Sequence, residues 1–294
     1  MRLMFVTIVM VLMALTGTIQ AEEPWNLAVD ANLTLTQNAY SDNWVGGEAG
    51  ALSWTFNSNS LAEKQLAAWI HTKNTLKLMF GQTHNQDVET KDWAKPVKST
   101  DLIDFESVFR FTLESFVDPF AAARIETQFL DQSDPEKDRY VNPIKITESF
   151  GVARVLIKEE KREWTVRLGG GLRQFIDRDA LNADTGERET MTSSDYGATF
   201  DSEFKTPLAG ERISFSSKLT VYKAFYYSEK DELKGEVDED YWKAPDVNWE
   251  NIFTAGITNY LMVNLYIQLL YDKEIDKAGR FKQTLSLGLT YKFI

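Results

Sequence analysis

Two histidines, His71 and His84, are the only imidazoles in a 294-residue sequence that contains no cysteine. Hydrolysis through a covalent intermediate needs a nucleophile with a base in hydrogen-bond reach. On a strand, such a pair would appear as a serine two residues from the histidine, on the same face. His71-Thr72-Lys73 has no such serine, and a hydrogen-bonded structural histidine accounts for His71. His84 lies in a polar stretch near Asp87, where solvent exposure is expected. No catalytic residue is assigned, and a lipid hydrolase is the weakest of the functional alternatives. Asp231, Glu232, Glu236, Asp238, Glu239 and Asp240 crowd one segment with oxygen ligands suited to a hard cation. They lack the D-x-D-x-D-G spacing of a calcium loop, and a charge run is ordinarily a solvated face. No metal ligand and no cofactor is assigned.

Charges at every second position are more informative. Lys73, Lys77, Arg110, Arg124, Arg167 and Arg173 share one parity with Asp30, Glu106, Glu126, Asp201, Glu203, Lys218 and Glu250. The intervening positions carry large apolar side chains, as in Phe105, Ile125, Leu168, Phe200 and Trp249. Period-2 alternation marks strands with one polar and one apolar face. On a closed sheet the charged parity converges on a lumen, where it would tune selectivity if water fills the interior. The six cations outnumber Glu106, Glu114 and Glu126, which favours a wet lumen unless acids across the barrel cancel them.

The elements that position these charges follow from the same alternation. The clearest is the last stretch, where Leu285, Leu287, Leu289, Tyr291 and Phe293 alternate with Ser286, Gly288, Thr290 and Lys292. Earlier strands are expected near Trp25–Gln37, Leu52–Asn57, Ala67–Phe80, Phe105–Leu113, Ala121–Phe129, Pro143–Ile157, Trp164–Ile176, Tyr196–Phe204, Ile213–Phe225, Val247–Ile257 and Val263–Tyr271. Thr72 and Asn74 interrupt the apolar face of the third. Long polar connections, such as Gly81–Leu102, Asp131–Asn142, Asp177–Ser194 and Ser228–Asp246, alternate with tight turns, such as Ser58–Lys64, Lys158–Arg162 and Thr206–Glu211. Twelve strands with all long loops at one end predict an all-β fold, an up-and-down antiparallel transmembrane barrel with short periplasmic turns. A secreted Greek-key sandwich has no reason to sort its loops this way.

Met1–Ala21 has the Arg2 positive end, the apolar run Leu3–Leu15 and a small-residue finish of a secretory signal peptide. The expected organisation is signal peptide 1–21 followed by a barrel over 22–294. The formal net charge of -12 argues against a nucleic-acid partner, which needs a basic face.

Asn43-Trp44-Val45-Gly46-Gly47 after the first strand resembles the N-W-x-G-G signature of an uncharacterised bacterial outer-membrane barrel family, one with a domain-of-unknown-function label. The C-terminal block, Asp246-Val247-Asn248-Trp249-Glu250 through Gly288-Leu289-Thr290-Tyr291-Lys292-Phe293, resembles the same family. The resemblance implies the barrel and the outer membrane, with its lipids and barrel-assembly machinery as partners, and implies no activity. Asn43, Trp44, Gly46 and Gly47 read as a tight turn with Trp44 packed on the rim, or as a plug or ligand contact at the mouth. A narrow channel for small solutes is the leading functional expectation. A structural, envelope-maintenance barrel with a filled lumen is the alternative.

Overall fold

The structure is a computed structural model that describes residues 24–40, 49–113, 115–134, 136–182, 185–210, 212–258 and 261–292. The expected signal peptide and the Asn43–Gly47 motif lie outside the described residues. Strands β1 (Asn26–Asn38), β2 (Ala51–Ala67), β3 (Ile70–Asn85), β4 (Val97–Phe111) and β5 (Asp118–Thr127) come first. A small ribbon of β6 (Leu130–Asp131) and β7 (Arg139–Tyr140) interrupts the series. It resumes with β8 (Ile144–Lys158), β9 (Glu163–Leu181), β10 (Arg188–Leu208), β11 (Ile213–Tyr227), β12 (Pro245–Gly256), β13 (Leu261–Tyr271) and β14 (Arg280–Lys292). Apart from the ribbon, each strand pairs antiparallel with its sequence neighbours, and β1 meets β14 to close a twelve-stranded barrel.

The wall sorts its side chains by parity. Phe105, Ile125, Leu168, Trp249, Leu285 and Leu287 point outward and stay exposed on the protein surface. Between them, Glu106, Arg167, Asp201 and Glu250 are buried inside the barrel. Several polar groups on the outer wall are hydrogen-bonded. Trp164 Nε1 donates to Ser202 Oγ and Trp249 Nε1 to Ser217 Oγ, both at 3.0 Å. Thr72 and Asn74 face outward as the alternation places them. Ser107 Oγ donates to Asn74 Oδ1 at 2.7 Å, and Asn74 Nδ2 donates to the Ala62 carbonyl at 3.2 Å. In hydrocarbon, where water cannot substitute, such pairing is what makes polar residues tolerable.

Several connections differ from expectation; the loop expected at Gly81–Leu102, for one, contracts to 86–96 as β3 runs to Asn85 and β4 starts at Val97. The turn expected at Ser58–Lys64 lies inside β2, and the chain reverses at Ala68 and Trp69 instead. The Ser- and Asn-rich run resembles turn residues, but Asn57 and Asn59 are lumen-facing rungs opposite Met79 and Lys77. The loop expected at Asp177–Ser194 shrinks to 182–187, because β9 and β10 stay paired through Leu181 and Arg188. A tilted strand needs only ~9–11 residues to cross a bilayer, so this 21-residue β10 rises past the apolar band. Beyond it both faces meet water, and the alternation that betrays a strand disappears.

Candidate functional site

At mid-depth, long charged side chains from opposite walls meet in the lumen. Twelve strands enclose more space than short side chains fill, so Lys, Arg and Glu close the gap with their aliphatic stems. Lys73 on β3 reaches Glu203 on β10 at 2.7 Å, and Lys77 on β3 reaches Glu250 on β12 at 3.0 Å. Neither pair lies on neighbouring strands, so both cross the interior. Glu106 on β4 is a hub, taking Arg167 of β9 at 2.6 Å on one oxygen and Lys218 of β11 at 2.7 Å on the other. Arg167 also lies 3.7 Å from Asp201 and 3.6 Å from Glu203. Arg167 is 6 % exposed and Glu106 8 %, which makes this a desolvated lattice and not a set of surface pairs.

A second cluster sits nearer the long loops. Arg124 clamps Asp104 with two hydrogen bonds of 2.7 and 2.9 Å and lies 3.0 Å from Glu126. Arg173 bridges Asp195 at 2.8 Å and Asp246 at 2.5 Å. The Tyr222 ring lies 3.8 Å from the Arg173 guanidinium, and its hydroxyl donates to Asp195 Oδ1 at 2.5 Å. Tyr222 reaches this position by lying over Gly171, where a Cβ would stand 3.1 Å from the ring. A larger residue at 171 would lift the ring from its acceptor.

Lys73, Lys77, Arg124, Arg167, Arg173, Asp201, Glu203 and Glu250 therefore all project into the lumen, and Asp30 shares that face opposite Asn59. Arg110 lies nearer the turn end, 3.9 Å from Asp118. The cation excess inferred from sequence does not exist. Asp104, Asp118, Asp195 and Asp246, left out of that count, each face one of the six cations. Asp104 was within reach of the parity argument, two residues before Glu106. Asp195 and Asp246 lie where strands run into segments that read as loop.

The lattice divides the interior. On the turn side lies a cavity of ≈ 310 Å³, lined among others by Glu63, His71, Arg110 and Glu163. His71 Nε2 is 2.9 Å from Glu63 Oε1, the structural hydrogen bond expected of it. On the loop side lies a cavity of ≈ 320 Å³, lined among others by Lys145, Thr147, Tyr222, Asn248, Asp272 and Arg280.

Outside the barrel, the ribbon is tied down by its own buried pair. Arg139 contacts Asp131 at 2.7 Å and Asp177 at 2.8 Å, and Asn142 Nδ2 donates to Asp131 Oδ2 at 3.0 Å. Arg188 reaches Asp134 at 2.6 Å. That hydrogen bond, with one from the Glu136 amide, holds the Asp134 carboxyl down at about 2.

A family profile described as "Protein of unknown function (DUF3078)" matches residues 35–132, about a third of the chain. The resemblance to a domain-of-unknown-function family thus holds for the stretch that includes Asn43–Gly47, while the C-terminal block lies beyond the matched residues. No curated protein matches the chain. Among solved structures, it is similar to the COG4313 outer membrane channel from Pseudomonas putida F1, at 16% identity and a TM-score of 0.40, covering 94% of this chain and 97% of that one. It is also similar to the translocator domain of the autotransporter NalP from Neisseria meningitidis, at 9% identity and a TM-score of 0.36, covering 99% and 96%. The beta domain of the Bordetella autotransporter BrkA aligns at 10% identity and a TM-score of 0.35, covering 91% and 98%.

Proposed function

We propose that this chain is a bacterial outer-membrane β-barrel whose lumen is held shut at mid-depth, a filled barrel and not a standing pore. The observation that carries the reading is the Glu106 hub, with Arg167 and Lys218 meeting it from two other strands. A solute crossing the waist would have to separate buried, mutually paired charges. Breaking one such pair costs about 3–5 kcal/mol, because it strands an uncompensated ion.

The outer-membrane placement draws on the wall. Exposed apolar side chains alternate with buried lumen charges around it, the pattern a lipid-facing barrel needs. Aromatic residues collect toward its ends, where amphipathic rings suit the headgroup level. At the turn end, Trp69 stacks on Phe111 at 6.1 Å and Lys64 lies 5.7 Å from the Trp25 ring. At the loop end, Tyr196 stacks on Tyr226 at 5.0 Å, with Lys230 4.6 Å from the Tyr226 ring. Outer-membrane lipids are the surrounding partners and the barrel-assembly machinery is the insertion route in this reading.

The narrow-channel reading keeps one observation on its side. Cavities lie on both sides of the waist, so displacing a few long side chains would join them. Lys73, Lys77, Arg110, Arg124, Arg167, Arg173, Asp201, Glu203 and Glu250 would then line the path and set its selectivity. Swelling of proteoliposomes in glycine or arabinose separates the two. Rates equal to those of protein-free vesicles are expected, and rapid swelling would favour the channel.

A further inference from the structure

The barrel is not closed equally all the way up. Among the described residues, only Asp30–Thr34 of β1 pair with Gly288–Lys292 of β14. Above Thr34, Leu35–Asn38 remain paired to β2 on their other side, and Arg280–Leu287 remain paired to β13. Continuing the register would set Thr36 opposite Ser286 and Asn38 opposite Thr284. Among the described residues those rungs are unpaired, and Thr36, Asn38, Lys282 and Thr284 are exposed although they share the lumen parity. The last closed rung has its own device. Gly288 lies against Asn32, whose Oδ1 a Cβ at 288 would strike, and the buried Asn32 Nδ2 has no partner.

Both lips of this gap are apolar outside, and the β14 lip is cationic inside. Leu33 and Leu35 on β1, with Phe281, Leu285 and Leu287 on β14, are exposed on the outer wall, which sets the gap at the level of lipid chains. On the inner side of β14 stand Arg280 and Lys282. Arg280 lines the loop-side cavity and its buried Nε has no hydrogen-bond partner. Lys282 donates to Thr100 Oγ1 at 3.3 Å. Neither has a carboxylate partner among the described residues, whereas Lys73, Lys77, Arg124, Arg167 and Arg173 all do.

We propose that the upper β1–β14 seam is a side entrance through which a phospholipid of net negative charge places its headgroup on Arg280 and Lys282. The acyl chains stay against Leu33, Leu35, Leu285 and Leu287. Unpaired strand edges are not tolerated in hydrocarbon, and a hydrated headgroup seated between the lips supplies donors and acceptors to them. Phosphate matches the cation pair, because a guanidinium and an ammonium without a hydrogen-bonded carboxylate favour an anion that accepts from both.

The inference rests on the barrel spanning a lipid bilayer, so insertion is scored first, by protease resistance and β-type circular dichroism in vesicles. Failure to insert would sink the membrane reading itself. Inserted protein is then photolabelled with diazirine-tailed phosphatidylglycerol and, separately, with the phosphatidylcholine analogue. Residues 33–38 and 281–287 are expected to label roughly tenfold more with the anionic lipid, in line with two cations near a membrane surface. Arg280→Glu with Lys282→Glu should erase the preference without lowering insertion. Asn38→Cys with Thr284→Cys should remove labelling once oxidised within one molecule and restore it on reduction. Even labelling around the whole wall, or a preference that survives charge reversal, would overturn the proposal. So would displacement of the lipid by inorganic phosphate, which would mark a free-anion site. Disulfides formed between molecules instead of within them would also overturn it, and would identify the seam as a strand-pairing surface for a second copy.

Discussion

The waist of the lumen and the upper seam of the wall are both assembled from residues far apart in sequence, but they are held together in opposite ways. At the waist, Lys73 meets Glu203 and Lys218 meets Glu106 across the interior, and each charge has a partner. At the seam, among the described residues, the two terminal strands pair only over Asp30–Thr34, and Arg280 and Lys282 have no carboxylate within ion-pair distance. The difference is one of redundancy. Every waist strand is fixed on both sides by a long ladder, so its side chains are preorganised to interlock. The terminal strands β1 and β14 have each other as second neighbours for only part of their length. On the proposed reading, a barrel built this way resists opening along its axis and opens most easily through its wall.

The contrast can be broken most sharply at Arg167. Replacing it with methionine leaves Glu106, Asp201 and Glu203 without their shared cation. Unfolding from vesicles in urea should show a loss of about 3–5 kcal/mol; a loss below ~1 kcal/mol would mean the waist is wet and screened. One residue on, Leu168 is 58 % exposed on the outer wall. Leu168→Arg should cost about 2–4 kcal/mol at mid-membrane depth, in the same assay. Tolerance there would reverse the assignment of the two faces.

Outside the membrane the comparison continues at smaller scale. Lys137 and Asp179 meet at 2.5 Å but are exposed, so Lys137→Ala should leave the urea midpoint nearly unchanged beside the Arg167 variant. The subtlest expectation concerns pH. The carboxyl of Asp134 is held below its unfolded value by Arg188 and the Glu136 amide. A depressed acid stabilises the folded form above its unfolded pKa and loses that contribution as pH falls through the folded one. The 128–143 segment should therefore keep its amide-exchange protection at pH 4 and lose it as pH approaches 2. Loss already at pH 4 would show that Arg188 does not hold Asp134.

Much of the barrel was legible because lipid on one side and a polar lumen on the other force strict alternation. Leu168 beside Arg167 and Trp249 beside Glu250 declare two faces without any alignment. What alternation cannot supply is distance around the barrel. Nothing local to Lys77 indicates Glu250 as its partner, because that contact depends on how the sheet closes. The acids that cancel the cations were missed for a related reason. Asp195 and Asp246 lie where strands project past the apolar band, and there both faces are polar and the period fades. Ser58–Lys64 misled in the other direction, since lumen-facing Asn59 between outward-facing Ser58 and Ser60 has the composition of a turn.

The central claim is that paired charge, not water, occupies the waist. Planar-bilayer recording tests it directly. Wild-type protein, inserted and folded, should carry no steady current. Glu106→Ala with Arg167→Ala, which removes the hub pair together and leaves Lys218 with Glu203, should give discrete conductance steps. Steady single-channel currents from the wild type, unchanged in the double variant, would contradict the account.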